Sequence, residues 1–286
     1  MGVCLIVVGA IAGREAPAQE RGRVFGILGT TISLGSLVGG LAVGGMADAW
    51  GYPVMLSVLA GFVLLIPGAA LLAIREAPSP PRSGDIPKTG AEIPLFSAGL
   101  VLLLAAETLT MVSNGEGNLG RSLAMSSASF TGAAITSTAA IGGIISLPLP
   151  FLLDWLSDRV GRRPIMIAGP LFGAASLLLL LVSRSWWQFR MVAALNSLMT
   201  AGISVGPAMV ADVVRREKVG TGISLFQSSV WVGMIIGFST SGIAFHRLGF
   251  PFGLESGAAV ALLAVPLFLA VSFSGSPQGP SGPTIG

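Results

Sequence analysis

Asp158, Arg159, Val160, Gly161, Arg162 and Arg163 crowd four charges into six residues, between two runs, 122–153 and 164–183, that carry none. An aspartate at such a junction can sit against the positive end of a helix dipole, and arginine can hydrogen-bond carboxylate or headgroup phosphate. Contacts of this kind act as reversible latches, or set orientation by holding inner-leaflet lipid. Glu107 is the clearest carboxylate inside an apolar run, seven residues before Asn114, and is placed roughly 10 Å from the outer edge. An ionised carboxylate in hydrocarbon is costly, so such a group faces a cavity, pairs or carries protons, unless it snorkels to the interface. Glu107 is expected to be a coupling or substrate-contact residue. Gln227, Ser228, Ser229 and Trp231 fall near the middle of another apolar run and could line a cavity, although bonding between helices accounts for the first three equally well.

Other chemistry finds little support. A single cysteine, Cys4, excludes an internal disulfide, and the single histidine, His246, leaves too few ligands for an ordinary zinc site. No acid pair or nucleophile with its base shares one depth, and Gly220-Thr221-Gly222 lacks the third glycine of a dinucleotide loop. No enzyme activity, cofactor, metal or nucleic-acid partner is therefore expected. Glu255 reads as interfacial, His246 as exposed, and Asp48 and Asp212 as solvated loop charges.

The elements that must position these residues follow from composition. Hydrophobic residues make up 52% and charged residues 10% of the 286, and the mean hydropathy is +0.83, too apolar for a soluble surface. Crossing a bilayer takes about 20 apolar residues. Such runs predict eight spans, at 22–47, 52–74, 94–113, 130–153, 164–183, 188–211, 220–245 and 250–273. With these spans the 16 basic residues divide 12 to 4, Arg121, Arg184, Arg190 and Arg247 being the minority, and the richer side is assigned to the cytoplasm. Residues 1–13 are apolar but too short to cross. They read as the inner half of a helix whose remainder lies upstream, with a re-entrant segment as the alternative. The Pro-rich stretch 75–93 reads as a cytoplasmic linker and 274–286 as a disordered cytoplasmic tail. Trp50, Trp186, Trp187 and Trp155 suit interfacial belts.

A shift of 198 residues pairs Gly22 with Gly220, Gly35 with Gly233, Gly39 with Gly237, Gly44 with Gly242, Gly51 with Gly249 and Pro53 with Pro251 without a gap. Weak internal symmetry of this kind marks transporter repeats, here parallel ones. The glycines Gly35, Gly39, Gly44, Gly233, Gly237 and Gly242 are expected to pack helices closely, with rocking surfaces as a second role.

The hexapeptide from Asp158 to Arg163, after one helix and opening the next through Pro164, resembles the Asp-Arg-x-Gly-Arg-Arg box of the major facilitator superfamily. The entry from Pro17 to Gly26 is similar to loops before that family's fifth helix, and Gly26, Gly35, Gly39 and Gly44 partly resemble the glycine motif of its drug and proton antiporters. Asp154 stands where the family box usually has glycine. The resemblance implies an all-α, polytopic bundle of two parallel, pseudo-repeated halves. Residues 1–74 would be the remainder of the first half, lacking about three helices, and 94–273 a complete six-helix half. It implies a monomeric secondary transporter in the inner (plasma) membrane, in contact with lipid, moving a small solute with the proton as coupling ion, in the direction of efflux. Asp158 would latch against the helix start near Gly22 or Arg23. A non-transporting sensor or scaffold, favoured by a central cavity without polar lining, and an inactive fragment remain as alternatives.

Overall fold

The computed structural model describes residues 21–73, 97–214 and 218–271, and all regular structure among them is helical. The elements are α1 (Arg21–Ala73), α2 (Ala98–Ser127), α3 (Gly132–Ser146), α4 (Leu149–Val160), α5 (Arg162–Val182), α6 (Trp186–Met199), α7 (Ala201–Val213), α8 (Val219–Arg247) and α9 (Phe250–Ala270). The 1–13 segment, the 75–93 linker and the 274–286 tail lie outside the described residues, as does the packing around Gly22 and Arg23.

Three tight reversals separate helical legs, and each is built on a glycine. Gly51, Gly161 and Gly249 have φ/ψ of 79/163°, 88/160° and 93/154°, a region that side chains exclude. A proline follows each within three residues, at Pro53, Pro164 and Pro251. Gly51 and Gly249 are partners in the 198-residue repeat, so the two copies turn with the same backbone. Helix starts elsewhere are capped in the ordinary way. Ser97 accepts the Leu100 N–H at 3.2 Å, and Ser185 forms a capping box with Gln188.

Among the described residues six helical stretches, α6 and α7 counting as one, are long and apolar enough to cross a membrane. The eight spans read from the sequence differ in two places. The first two spans match the two helices that meet at the Gly51 kink. The span at 130–153 is divided between α3 and α4 at Leu147 and Pro148, where proline removes a backbone donor. The span at 188–211 is likewise broken at Thr200, between α6 and α7.

A third difference bears on function. The span ending at residue 113 continues to Ser127, so Asn114 to Arg121 lie within α2 rather than in an outer loop. Arg121 is thus not a loop charge, which leaves Arg184, Arg190 and Arg247 as the basic residues on the side expected to face outward. Glu107 sits 20 residues before the C-terminal end of α2, well inside the bundle.

Residue placement is inverted relative to a soluble core. Leu34, Leu64, Leu178, Val182, Ile235 and Leu263 are exposed, while Glu107, Thr110, Asn114, Glu116 and Arg121 are buried. Hydrocarbon outside and a protein interior for polar groups explain this inversion. The chain is an all-α membrane bundle.

Two glycine seams hold the legs at short range. In the first, α8 lies on α2: a Cβ on Gly233 would fall 2.5 Å from the Thr108 carbonyl oxygen, and Gly237 packs against the Val112 backbone. Gly115 returns the contact toward Phe238. In the second, α1 lies on α3, where a Cβ on Gly40 would meet the Ala140 nitrogen at 2.6 Å and one on Gly143 the Leu37 nitrogen at 2.7 Å. Gly44 belongs to this seam, against Gly132 and Thr136, whereas Gly35, Gly39 and Gly242 have open space where a Cβ would be.

Candidate functional site

On α2, Glu107, Asn114, Asn118 and Arg121 are spaced by seven, four and three residues, which stacks them along one face. Arg121 donates from Nη2 to Asn118 Oδ1 at 3.1 Å, and Asn118 donates from Nδ2 to Asn114 Oδ1 at 2.9 Å. Asn114 donates onward to the Met199 sulfur at 3.8 Å. Every hydrogen bond in this relay points the same way along the helix, from the guanidinium inward.

The relay forms one wall of a cavity of about 180 Å³. Ser36 of α1 and Thr138, Gly142 and Ser146 of α3 face it, and Asn196, Ser197 and Thr200 of α6 and its break complete the lining. The hydroxyls of Thr138, Ser197 and Thr200 donate to carbonyls of their own helices, at Ile135, Ala193 and Ser197. Their hydrogens are committed to backbone. Arg121 is 8% exposed, its Nε has no partner, and among the described residues no carboxylate pairs with it. Glu116, although close in sequence, points to the opposite face of α2, where its Oε2 is pressed against Gly257 of α9.

Glu107 is 1% exposed and lies two turns further in on the same stripe. Its Oε1 has no hydrogen-bond partner, and its Oε2 is 3.3 Å from where a Cβ on Gly202 would stand. The glycine makes room for the carboxylate just past the α6–α7 break. Gln227 and Trp231 are half-buried on the flank of α8, away from the glycine stripe that meets α2, and neither is among the residues lining the cavity. Ser228 and Ser229 bond their own helix, at the carbonyls of Ser224 and Phe226.

Just before the Gly51 kink, α1 is clasped to the start of α3. Asp48, expected as a solvated loop charge, accepts the backbone N–H of Gly132 at 2.9 Å and of Ala133 at 2.7 Å. It caps a helix 84 residues away, because those first N–H groups have no partner within α3.

The charged hexapeptide ties three legs together. Arg162 pairs with Asp212 and donates to the Ala208 carbonyl at 2.7 Å, while Arg163 Nε donates to the Phe268 carbonyl at 3.2 Å. Phe268 lies in the last turn of α9, where carbonyls lack helical partners. Asp212, expected as a solvated loop charge, is therefore an ion-pair partner within the last turn of α7. Arg159 stacks over Trp155 at 4.0 Å, and Gly161 supplies the turn. The side chain of Asp158 lies outside the described ones.

A bundle with an apolar exterior, a polar cavity between helical legs and charged ties at both ends has the architecture of a polytopic membrane carrier. The chain belongs to the Major Facilitator Superfamily, whose family model matches residues 1–115 and 95–284. It is a membrane transporter of that superfamily. No curated protein matches the sequence.

Asn114, Asn118, Arg121 and Asn196 are the residues that sequence reading missed. Hydropathy assigned the first three to a loop, although their i, i+4, i+7 spacing carried a helical signal.

Proposed function

We propose that the chain is a secondary active transporter that moves a small solute by alternating access, driven by the proton gradient and working as an efflux carrier of the inner (plasma) membrane. The carrying observation is the cavity, which draws its lining from α1 on one side and from α2, α3 and α6 on the other, beneath a clasp that closes the outer ends. A sensor or scaffold needs no such polar lining.

Glu107 has the coupling role in this reading. It is buried, with no ion-pair partner among the described residues, on the same stripe as the cavity residues, so a proton is the simplest means of neutralising it. Asp158 is the inner latch, set against the helix start near Gly22. Arg162 and Arg163 hold the inner ends of α7 and α9 together, which keeps the Asp158 turn on a firm base.

The test is reconstitution into vesicles holding a pH-sensitive dye, with solutes added against an imposed proton gradient. Solute-dependent dissipation of the gradient supports the reading. A protein that binds solutes but never couples them to proton movement removes the proton-driven part, and one that moves no solute removes the carrier itself.

A further inference from the structure

The cavity contains a cation that nothing in the described bundle neutralises. Resting on the carrier reading, and extending it to substrate class, we infer that the transported solute is a small organic monoanion whose carboxylate pairs with Arg121.

Four observations lead there. First, Arg121 is more than nine-tenths buried while lining the cavity, and a buried charge without a partner is strongly unfavourable. Second, its one hydrogen bond among the described residues takes a single N–H of Nη2 to the neutral Asn118 amide, which leaves the second N–H of Nη2 beside those of Nη1 as donors. A guanidinium fork of this kind matches the two oxygens of a carboxylate. Third, the neighbouring acids are turned elsewhere. Glu116 packs on Gly257 across the helix, and Glu107 lies 14 residues inward, about 21 Å along the axis. Fourth, the remaining lining is neutral, being amides, hydroxyls and small residues. One positive charge balances one negative charge, which favours a monocarboxylate over a dianion such as phosphate at neutral pH.

The relay explains how the guanidinium is held ready. Asn118 is itself fixed by bonds to the carbonyl and side chain of Asn114, and so holds Arg121 at the cavity wall through its Oδ1. A site arranged before its ligand arrives loses less entropy on binding. Lysine at this position would retain the charge but lose the fork.

Direct binding tests this, by titration calorimetry on the purified full chain in detergent. The probes are benzoate and lactate, their neutral amides benzamide and lactamide, and the cation benzamidinium. Wild type is expected to bind the carboxylates and to discriminate against the amides and the cation. Arg121→Gln is expected to weaken carboxylate binding by about tenfold or more, with Arg121→Lys in between. Equal binding of amide and carboxylate by wild type, absence of carboxylate binding, or unchanged carboxylate affinity in Arg121→Gln overturns the inference. Should Arg121→Gln fail to fold, Asn118→Ala, which frees the guanidinium from its support, serves in its place: lowered carboxylate affinity supports the site and unchanged affinity overturns it. Binding is read apart from transport. Carboxylate binding without uptake into vesicles would leave the anion site standing and remove the carrier, whereas uptake of benzamidinium without carboxylate binding would do the reverse.

Discussion

The carboxylate of Asp48 and the backbone nitrogen of Gly132 are 2.9 Å apart, although 84 residues separate them in the chain. A helix normally takes its cap from the residue just before it; α3 takes part of its cap from another leg. Thr131, in the ordinary position, accepts only the Ala134 N–H at 3.2 Å, and Asp48 takes the two before it. The bond to the helix and the bond between legs are thus the same interaction.

Replacing Asp48 with Ala removes that clasp. The loss of an N-cap costs about 1 kcal/mol, enough to shift a two-state equilibrium about fivefold toward open outer ends. In a Cys4→Ser background, a cysteine at Ser36 in the cavity wall reports the shift. Its labelling by an impermeant maleimide added outside should quicken by about that factor, and an unchanged rate would show that the clasp does not gate access.

Gly237 and Gly242 should respond oppositely to alanine. A methyl at Gly237 has to enter the Val112 backbone, and overpacking of this kind costs about 1–3 kcal/mol. At Gly242 the space is open, and alanine in a helix gains up to about 1 kcal/mol over glycine. Thermal unfolding in detergent should therefore fall for Gly237→Ala and hold or rise for Gly242→Ala.

Arg162 and Asp212 form the ion pair seen among the described residues, yet their removal should not be equivalent. Both are a third or more exposed, so Asp212→Ala is expected to cost less than about 1 kcal/mol. Arg162→Ala also gives up the bond to the Ala208 carbonyl and should lower the Tm further. A cysteine at position 162 should react with impermeant label only from the cytoplasmic side, and reaction from outside would invert the assigned topology.

Glu107→Gln keeps the shape of the side chain and removes its proton. Proton-driven transport in vesicles should be lost, while solute exchange with no gradient imposed should persist. Full proton-driven uptake by this variant would take the coupling role away from Glu107.

The legs, the turns at Gly51 and Gly249 and the charged hexapeptide were legible because each is local: an uncharged run, a glycine with a following proline, or a cluster of charge. Gly51 and Gly249, which the 198-residue shift pairs, share a backbone conformation that Gly161 also adopts. Asn114 to Arg121 were misplaced because hydropathy cannot tell a polar residue in water from one lining a polar cavity, and three glycines in that stretch resemble a loop. Asp48 was misread for a different reason, since its partners are distant in sequence. The glycine pattern was only half informative. It marks Gly233, Gly237 and Gly44 as contacts, but nothing in the spacing separates them from Gly35, Gly39 and Gly242, whose neighbours are elsewhere.

The α2–α8 seam has a mechanical consequence. Backbone lies against backbone with no room even for a methyl, so the two helices cannot slide past one another without separating entirely. They must travel as one plank. Glu107 and Arg121, near opposite ends of the same edge of that plank, are therefore joined by a rigid lever about 21 Å long. A tilt that buries one of them more deeply has to swing the other as well.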